Sequence, residues 1–291
     1  MNVLVTGGSG SVGKYVVSEL LKHHKVGILD IKEPECPQCR FHWVDMMNLP
    51  ALTKVVSEYE AVIHLAGIPH PLNHPPEKVF STNVLGTFNI MEAASKGNVK
   101  KVILASSEST LGFAFRTKEF SPDYFPIDED HPTNPQDPYG LSKITCEQIL
   151  KSYSLKTDIK TISIRMPWVW VPEETMIDFY KNLVTDYPKW HKNLWAYVHV
   201  YDAARAFNLA LTTDGLSQYD VFFITADENW AGVDSKTLIK NFYPATKSTH
   251  PNFSDKMSLI SSHKAKEKLN YSPKYNWQDL SKQVNDSNKN S

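Results

Sequence analysis

The chain has 291 residues, with 31 Lys and Arg against 32 Asp and Glu for a formal charge of −1, and 41% hydrophobic content. That length and apolar share suit one large globular domain, or a main domain with a smaller appendage, and the charge balance leaves no basic footprint for nucleic acid. There is no apolar run of about eighteen residues, and the opening "MNVLVTGGSGS" lacks the basic flank and small-residue cleavage site of a secretory signal, so a cytoplasmic location without membrane association is expected.

In chain order, a strand "NVLVT" (2–6) runs into "TGGSGSVG" (6–13), which opens a helix over 12–24. Gly7, Gly10 and Gly13 fall in the spacing G-x-x-G-x-x-G, where absent side chains permit a tight turn and close approach of a pyrophosphate. At the helix start, Ser11 and Val12 add unpaired N–H groups and the positive dipole end. The second strand, 25–30, closes on Asp30, in the position that accepts hydrogen bonds from an adenosine ribose. A carboxylate there repels a 2′-phosphate and no Arg follows within "DIKEPE", which favours NAD over NADP. "CPQCRFH" then places Cys36, Cys39 and His42 at C-x2-C-x2-H spacing. A structural zinc needs four ligands and no second Cys pair exists, so a surface loop without metal is expected, and three cysteines in all argue against a disulfide framework.

Further strands are expected at 61–66, 101–106 and 160–165, most almost continuously apolar, as strands buried on both faces of a parallel sheet are. Between them lie helix patterns at 76–95, which starts at Pro75 and Pro76, and at 138–155. His70 and His74 of "GIPHPLNHPP" lack metal-pair spacing and read as loop residues near a cleft. "PYGLSK" sets Tyr139 four residues before Lys143, on one face of a helix and one turn apart. That is either an acid–base pair, in which a sheltered cation favours the phenolate, or a helix start with a packed Tyr and a solvated Lys. The alternation of strand and helix implies an α/β fold, a Rossmann-like doubly wound parallel sheet.

After Arg165 the pattern changes, for "MPWVWVPEETM" and "DYPKWHKNLWAY" are aromatic and aperiodic. A helix (200–211) and a strand (220–226) then return to the sheet. The expected organisation is a nucleotide-binding domain over 1–165, completed by about 199–226, a small C-terminal substrate-binding cap from 166–198 and 227–285, and a disordered tail at 286–291. Trp168, Trp170, Trp195 and Trp230 either line a sugar-binding cleft or form the core of that cap.

With the glycine loop, Asp30, "HLAG" and "PYGLSK" in one chain, the sequence resembles the extended short-chain dehydrogenase/reductase family, the NAD-dependent epimerase/dehydratase group, from the first strand to about residue 280. In that family a Ser or Thr follows a strand in a stretch similar to "ASSESTLG". The resemblance therefore implies Ser107, Tyr139 and Lys143 as the catalytic set and NAD as cofactor. It further implies that Asp45, in "HWVDMMNL", meets the adenine, that Ala66 and Gly67 lie beside the adenosine half, that Asn83 is near the active site and that Pro167 contacts the nicotinamide. It also implies a homodimer paired through the helices at 76–95 and 138–155.

The departures narrow the activity. The family's dehydratases carry Asp-Glu after the catalytic Ser or Thr, whereas here Glu108 and Ser109 follow Ser107, which disfavours dehydration. The cap is short, Lys189 and Lys192 are the nearby cations, and no arginine there is placed for a diphosphate. The leading expectation is a dehydrogenase of the sugar or hexuronate type that releases NADH. The alternatives are a nucleotide-sugar 4-epimerase with tightly bound NAD, and a non-catalytic dinucleotide-sensing regulator.

Overall fold

The computed structural model describes residues 1–172, 174–250, 253 and 255–277; the tail expected at 286–291 lies outside them. The elements, in order, are β1 (Asn2–Thr6), α1 (Gly13–Leu20), β2 (Lys25–Asp30), β3 (Arg40–Trp43), α2 (Leu49–Val56), β4 (Ala61–His64), α3 (Pro76–Ser95) and β5 (Lys101–Ser107). They continue with β6 (Tyr124–Phe125), α4 (Pro138–Lys156), β7 (Lys160–Met166), β8 (Trp168–Trp170), α5 (Glu174–Thr185), β9 (Tyr197–His199) and α6 (Val200–Thr212). The described chain closes with β10 (Tyr219–Phe223), α7 (Ser235–Phe242), β11 (Ser248–Thr249) and α8 (His263–Leu269).

The main sheet is parallel, with strand order β10-β7-β5-β4-β1-β2-β3. Its central strands are apolar on both faces because helices cover both: α1 and α6 pack on one side, α2, α3 and α4 on the other. The order reverses between β1 and β4, and the carboxyl ends of strands at such a switch point form the crevice that binds ligands in open α/β sheets.

Two elements go beyond the sequence-based expectation. β3 is an edge strand whose four residues are all at least partly exposed, so it has no apolar run to reveal it. The helix α2 is only eight residues long, with Asn48 capping it through a bond from Ala51 N at 3.2 Å. A second apolar core, apart from the sheet, gathers Phe113, Phe125, Trp170, Trp195, Trp230 and Phe253. Trp170, Trp195 and Trp230 are fully buried in it, which settles them as packing residues; Trp168 remains partly exposed and lines a cavity. Cys36 and Cys39, expected in a surface loop with no disulfide framework, are joined by a disulfide, while the His42 ring is bonded to the Tyr59 hydroxyl at 2.7 Å. Two residues between the cysteines suffice for a turn that brings the sulfurs together, closed by Cys39 N donating to Cys36 O at 3.0 Å.

Candidate active site

The turn after β1 is built for close approach. Gly7 has φ of +73°, a left-handed conformation, and a Cβ there would stand 2.6 Å from Ala66 N at the end of β4. A Cβ on Gly13 would stand 2.1 Å from Gly7 O, so the helix start is packed onto the turn itself. Gly10 N donates to Gly7 O at 3.1 Å and closes the loop. Val12 is the N-cap of α1 and supplies no side-chain cap, while Lys14 N and Tyr15 N donate back to Gly10 O and Val12 O at 3.1 Å each, so the helix start is wound tightly onto the glycine turn. Ser11 and Val12 line the cavity that Trp168 also lines. Asp30 is tied to the same turn: its Oδ2 accepts from Ser9 N at 3.0 Å and its Oδ1 from Ile31 N and Lys32 N at 2.7 and 3.1 Å. Those bonds fix the carboxylate at the end of β2 and leave lone pairs for a ribose.

Across the switch point, β5 ends in Ser107 and α4 begins with Pro138 after the Asp137 N-cap, which holds Tyr139 N and Gly140 N at 2.9 Å each. This sets Ser107, Tyr139 and Lys143 along one cavity of about 700 Å³. Tyr139 and Lys143 are both 7% exposed, so the solvated-lysine alternative does not hold. Lys143 Nζ donates to Ala105 O at 2.8 Å and lies 5.6 Å from the centre of the Tyr139 ring. Burial pushes the Lys143 pKa down, partly offset by Cys146 and Glu147. Burial also holds the Tyr139 phenol above its ordinary value, the Ser107 hydroxyl bonded to it pulls it down, and the charges of Glu108 and Asp137 push it up.

The other expected residues divide. Gly67 and Pro167 line the cavity. Ala66 backs the Gly7 turn, its N–H directed at Thr6 Oγ1 at 3.4 Å. Asn83 is buried and fully engaged: Oδ1 accepts from Ile68 N at 2.7 Å, and Nδ2 donates to Ile68 O and Ser142 Oγ at 3.1 and 3.0 Å. It therefore clamps the Gly67 loop between α3 and α4 and does not line the cavity. Asp45 is exposed beyond β3, where its Oδ1 accepts from Met47 N at 2.9 Å, and it lines neither of the cavities flanking the glycine turn.

Sequence reasoning missed a supporting layer. His64 bonds Thr6 Oγ1 at 2.7 Å and Thr87 Oγ1 at 3.1 Å, and burial with the nearby Lys143 charge pushes its pKa down to about 3. Glu147, one turn beyond Lys143, takes a bidentate bond from buried Arg165 at 2.9 and 2.8 Å and a bond from Ser106 Oγ. The only sequence hint was a charge inside each of two otherwise buried segments. His70, Leu72, Phe115 and Trp190 also line the cavity, and Trp190 stacks on Trp168 with ring centres 5.3 Å apart.

The reversed parallel sheet and the glycine turn at its switch point define a Rossmann-type dinucleotide-binding protein. The model of the NAD-dependent epimerase/dehydratase family matches residues 3–224, and the chain belongs to that family. It is 33% identical over 168 residues to uronate dehydrogenase of Pseudomonas putida, an alignment covering 56% of this chain and 59% of the relative. Against UDP-glucose 4-epimerase of Bacillus subtilis the identity is also 33% over 168 residues, covering 52% of this chain and 47% of the relative. The chain thus spans about half the length of these curated relatives. A short-chain dehydrogenase/reductase superfamily protein from Agrobacterium tumefaciens, solved with bound NAD, superposes with a TM-score of 0.74 at 19% identity, covering 100% of this chain and 98% of the other. At that identity the likeness shows the fold.

Proposed function

We propose that this protein is an NAD-dependent oxidoreductase that oxidises a hydroxyl of a free sugar or sugar acid and releases NADH, with Ser107, Tyr139 and Lys143 as its catalytic residues. The observation that carries the substrate class is the cavity wall beside those residues. Ile68, Leu72, Phe115 and the stacked Trp168 and Trp190 give it an apolar, aromatic face that suits the carbon face of a sugar ring. No arginine lines it among the described residues. Arg116, the buried arginine of this region, is spent on Glu119 at 2.6 Å, Phe113 O at 3.1 Å and His191 Nδ1 at 3.2 Å. A buried diphosphate without directed donors is costly, so the wall favours a substrate lacking one.

The glycine turn fits NAD, since Cβ atoms at Gly7 and Gly13 would fill the space the backbone leaves for close packing. In this reading the amides around Ser11, Val12 and Gly13 hold the pyrophosphate, Asp30 the adenosine ribose, and Gly67 and Pro167 border the nicotinamide half; Asp45 and Ala66 act on the adenosine side and Asn83 acts through the Gly67 loop. NAD supplies a hydride acceptor when bound. Tyr139 Oη, as phenolate, takes the proton of the substrate hydroxyl, and Ser107 Oγ donates to the oxygen that is left. The Lys143 ammonium is held by Ala105 O toward the cavity, where it serves the ribose and adds positive charge near the phenol. Described residues of 166–198 and 227–285, together with Leu111, Phe113, Phe125 and Ile127 of the first segment, form the second apolar core, which we read as the substrate-binding cap.

A nucleotide-sugar 4-epimerase is the second reading, favoured by Lys189 and Lys192 on the cavity wall and by the epimerases among the relatives. The regulator reading is weakened by the intact Ser107, Tyr139 and Lys143. Leu85 and Phe88 on α3 and Leu141 and Leu155 on α4 are exposed apolar residues, which supports a homodimer through these helices. No helix among the described residues is long and apolar enough to cross a membrane; a cytoplasmic location is part of this reading. Absorbance at the NADH band, with a panel of free sugars, sugar acids and nucleotide-sugars, tests it. Steady NADH formation with a free sugar or sugar acid is expected. A product isomer from a nucleotide-sugar without NADH would replace it with the epimerase.

A further inference from the structure

The last three residues of β5 are each held from α4. Lys143 Nζ donates to Ala105 O at 2.8 Å, Ser106 Oγ donates to Glu147 Oε1 at 2.5 Å, and the Ser107 hydroxyl is bonded to the Tyr139 phenol. Tyr139, Lys143 and Glu147 stand at successive four-residue steps, on one face of the helix. The sheet leaves this tip of β5 short of support. β4 pairs with β5 only as far as His64 and Leu104, whereas β7 continues to Met166, opposite Ser107. Residues 105–107 therefore have a neighbouring strand on one side alone, and the bonds from α4 complete their hold.

Glu147 is the fixed point of that hold. It is buried, and besides the Ser106 hydroxyl its carboxylate takes Arg165 Nε on Oε1 at 2.9 Å and Arg165 Nη2 on Oε2 at 2.8 Å. Arg165 is itself buried on β7, in register with Ser106. The planar guanidinium fork fixes the plane of the carboxylate, and the charge-assisted bond from the hydroxyl then fixes Ser106. Ser106 borders the same cavity as Ser107, but its hydroxyl proton is committed to Glu147. We propose that Ser106, through its bond to Glu147, is a positioning residue that sets the tip of β5, and with it Ala105 O and the Ser107 hydroxyl, against Lys143 and Tyr139. This rests on the reading of Ser107, Tyr139 and Lys143 as the catalytic set. The Arg165–Glu147 pair alone braces α4 against β7; the Ser106 bond extends the brace to the strand that carries Ser107.

The experiment compares the full-length wild type with Ser106→Ala, which removes one hydroxyl and leaves the Arg165–Glu147 pair, and with Ser106→Thr, which keeps a hydroxyl on the same carbon. The first arm needs no substrate. It is the rate at which trinitrobenzenesulfonate labels Lys143, resolved by peptide mass mapping. Lys101, at the other end of β5, is the internal control, its Nζ held by Ala210 O, Leu211 O and Thr213 O at 3.2, 2.7 and 3.1 Å. Ser106→Ala is expected to label about fivefold faster at Lys143 and unchanged at Lys101, since only the tip is loosened. Unchanged labelling at Lys143, or equal acceleration at both lysines, overturns the proposal. In the second arm, with a sugar or sugar acid that is turned over, Ser106→Ala should lower kcat about tenfold with KM for NAD and sugar within about threefold, and Ser106→Thr should recover most of the loss. An unchanged kcat, or an equal loss in the two variants, overturns the positioning role. If the wild type turns over no sugar, the oxidation reading fails, and the labelling arm still decides this one.

Discussion

Lys143 donates from Nζ to the carbonyl oxygen of Ala105 at 2.8 Å, which ties α4 to the strand that ends in Ser107. The tie fixes the ammonium beside the cavity, and it means that the lysine is held by backbone whether or not the phenol is ionised. Lys143→Ala should therefore lower NAD affinity about tenfold as well as turnover, because in the proposed site one cation serves ribose and phenol. Titration calorimetry with NAD checks this; an unchanged dissociation constant would remove the ribose role.

Cofactor choice should follow Asp30, whose carboxylate is pinned to the glycine turn through Ser9 N. The wild type is expected to prefer NAD over NADP in kcat/KM, and Asp30→Ser should narrow the ratio about tenfold or more by removing the charge that repels a 2′-phosphate. Part of that change will be a higher KM for NAD, since the turn loses its anchor. A wild-type preference for NADP would contradict the assignment.

Acid should weaken the fold through His64. Its folded pKa, about 3, lies below the ordinary imidazole value of 6.5, so its contribution to stability is complete above the latter and is lost as pH falls toward the former. The full effect, reached only below the folded pKa, is roughly 5 kcal/mol by linkage. Replacing it by Gln, which keeps two polar ends between Thr6 and Thr87, should flatten the fall of melting temperature between pH 6.5 and 4. An unchanged slope would mean that His64 is not held neutral.

Removing Glu147 should cost about 3–5 kcal/mol, because Arg165 is left as an unpaired charge in a buried site. The midpoint of urea unfolding for Glu147→Ala measures this. A loss below about 1 kcal/mol would mean that water reaches the arginine.

Much of this architecture could be read from the sequence because it follows from local rules. The buried strands β1, β2, β4, β5 and β7 announce themselves as short β-branched runs, and Gly7, Gly13, Asp30 and the Tyr139–Lys143 spacing are short-range signals. What stayed hidden depends on contacts distant in sequence. Nothing near Asn83 says that it bonds Ile68 and Ser142, and nothing near Trp170 or Trp230 separates a core tryptophan from one like Trp168 at the cavity. Glu108 reads in the sequence as the remnant of an acidic pair; only the fold shows that it is buried, at 6% exposure. The Cys36–Cys39 bond was missed because counting cysteines ignores the two-residue turn between them.

The central claim is that Tyr139 is the base of a sugar oxidation while NAD is held by other residues. With the best substrate of the panel, kcat of the wild type and of Tyr139→Phe is to be measured alongside NAD affinity by calorimetry. The phenol is raised by burial and drawn down by Ser107, so it works as a base only through its hydroxyl oxygen, which Phe lacks. The account predicts a fall in kcat of roughly a hundredfold or more with NAD affinity within about threefold of wild type. NADH formation by Tyr139→Phe near the wild-type rate, or an equal loss of NAD affinity, would contradict it.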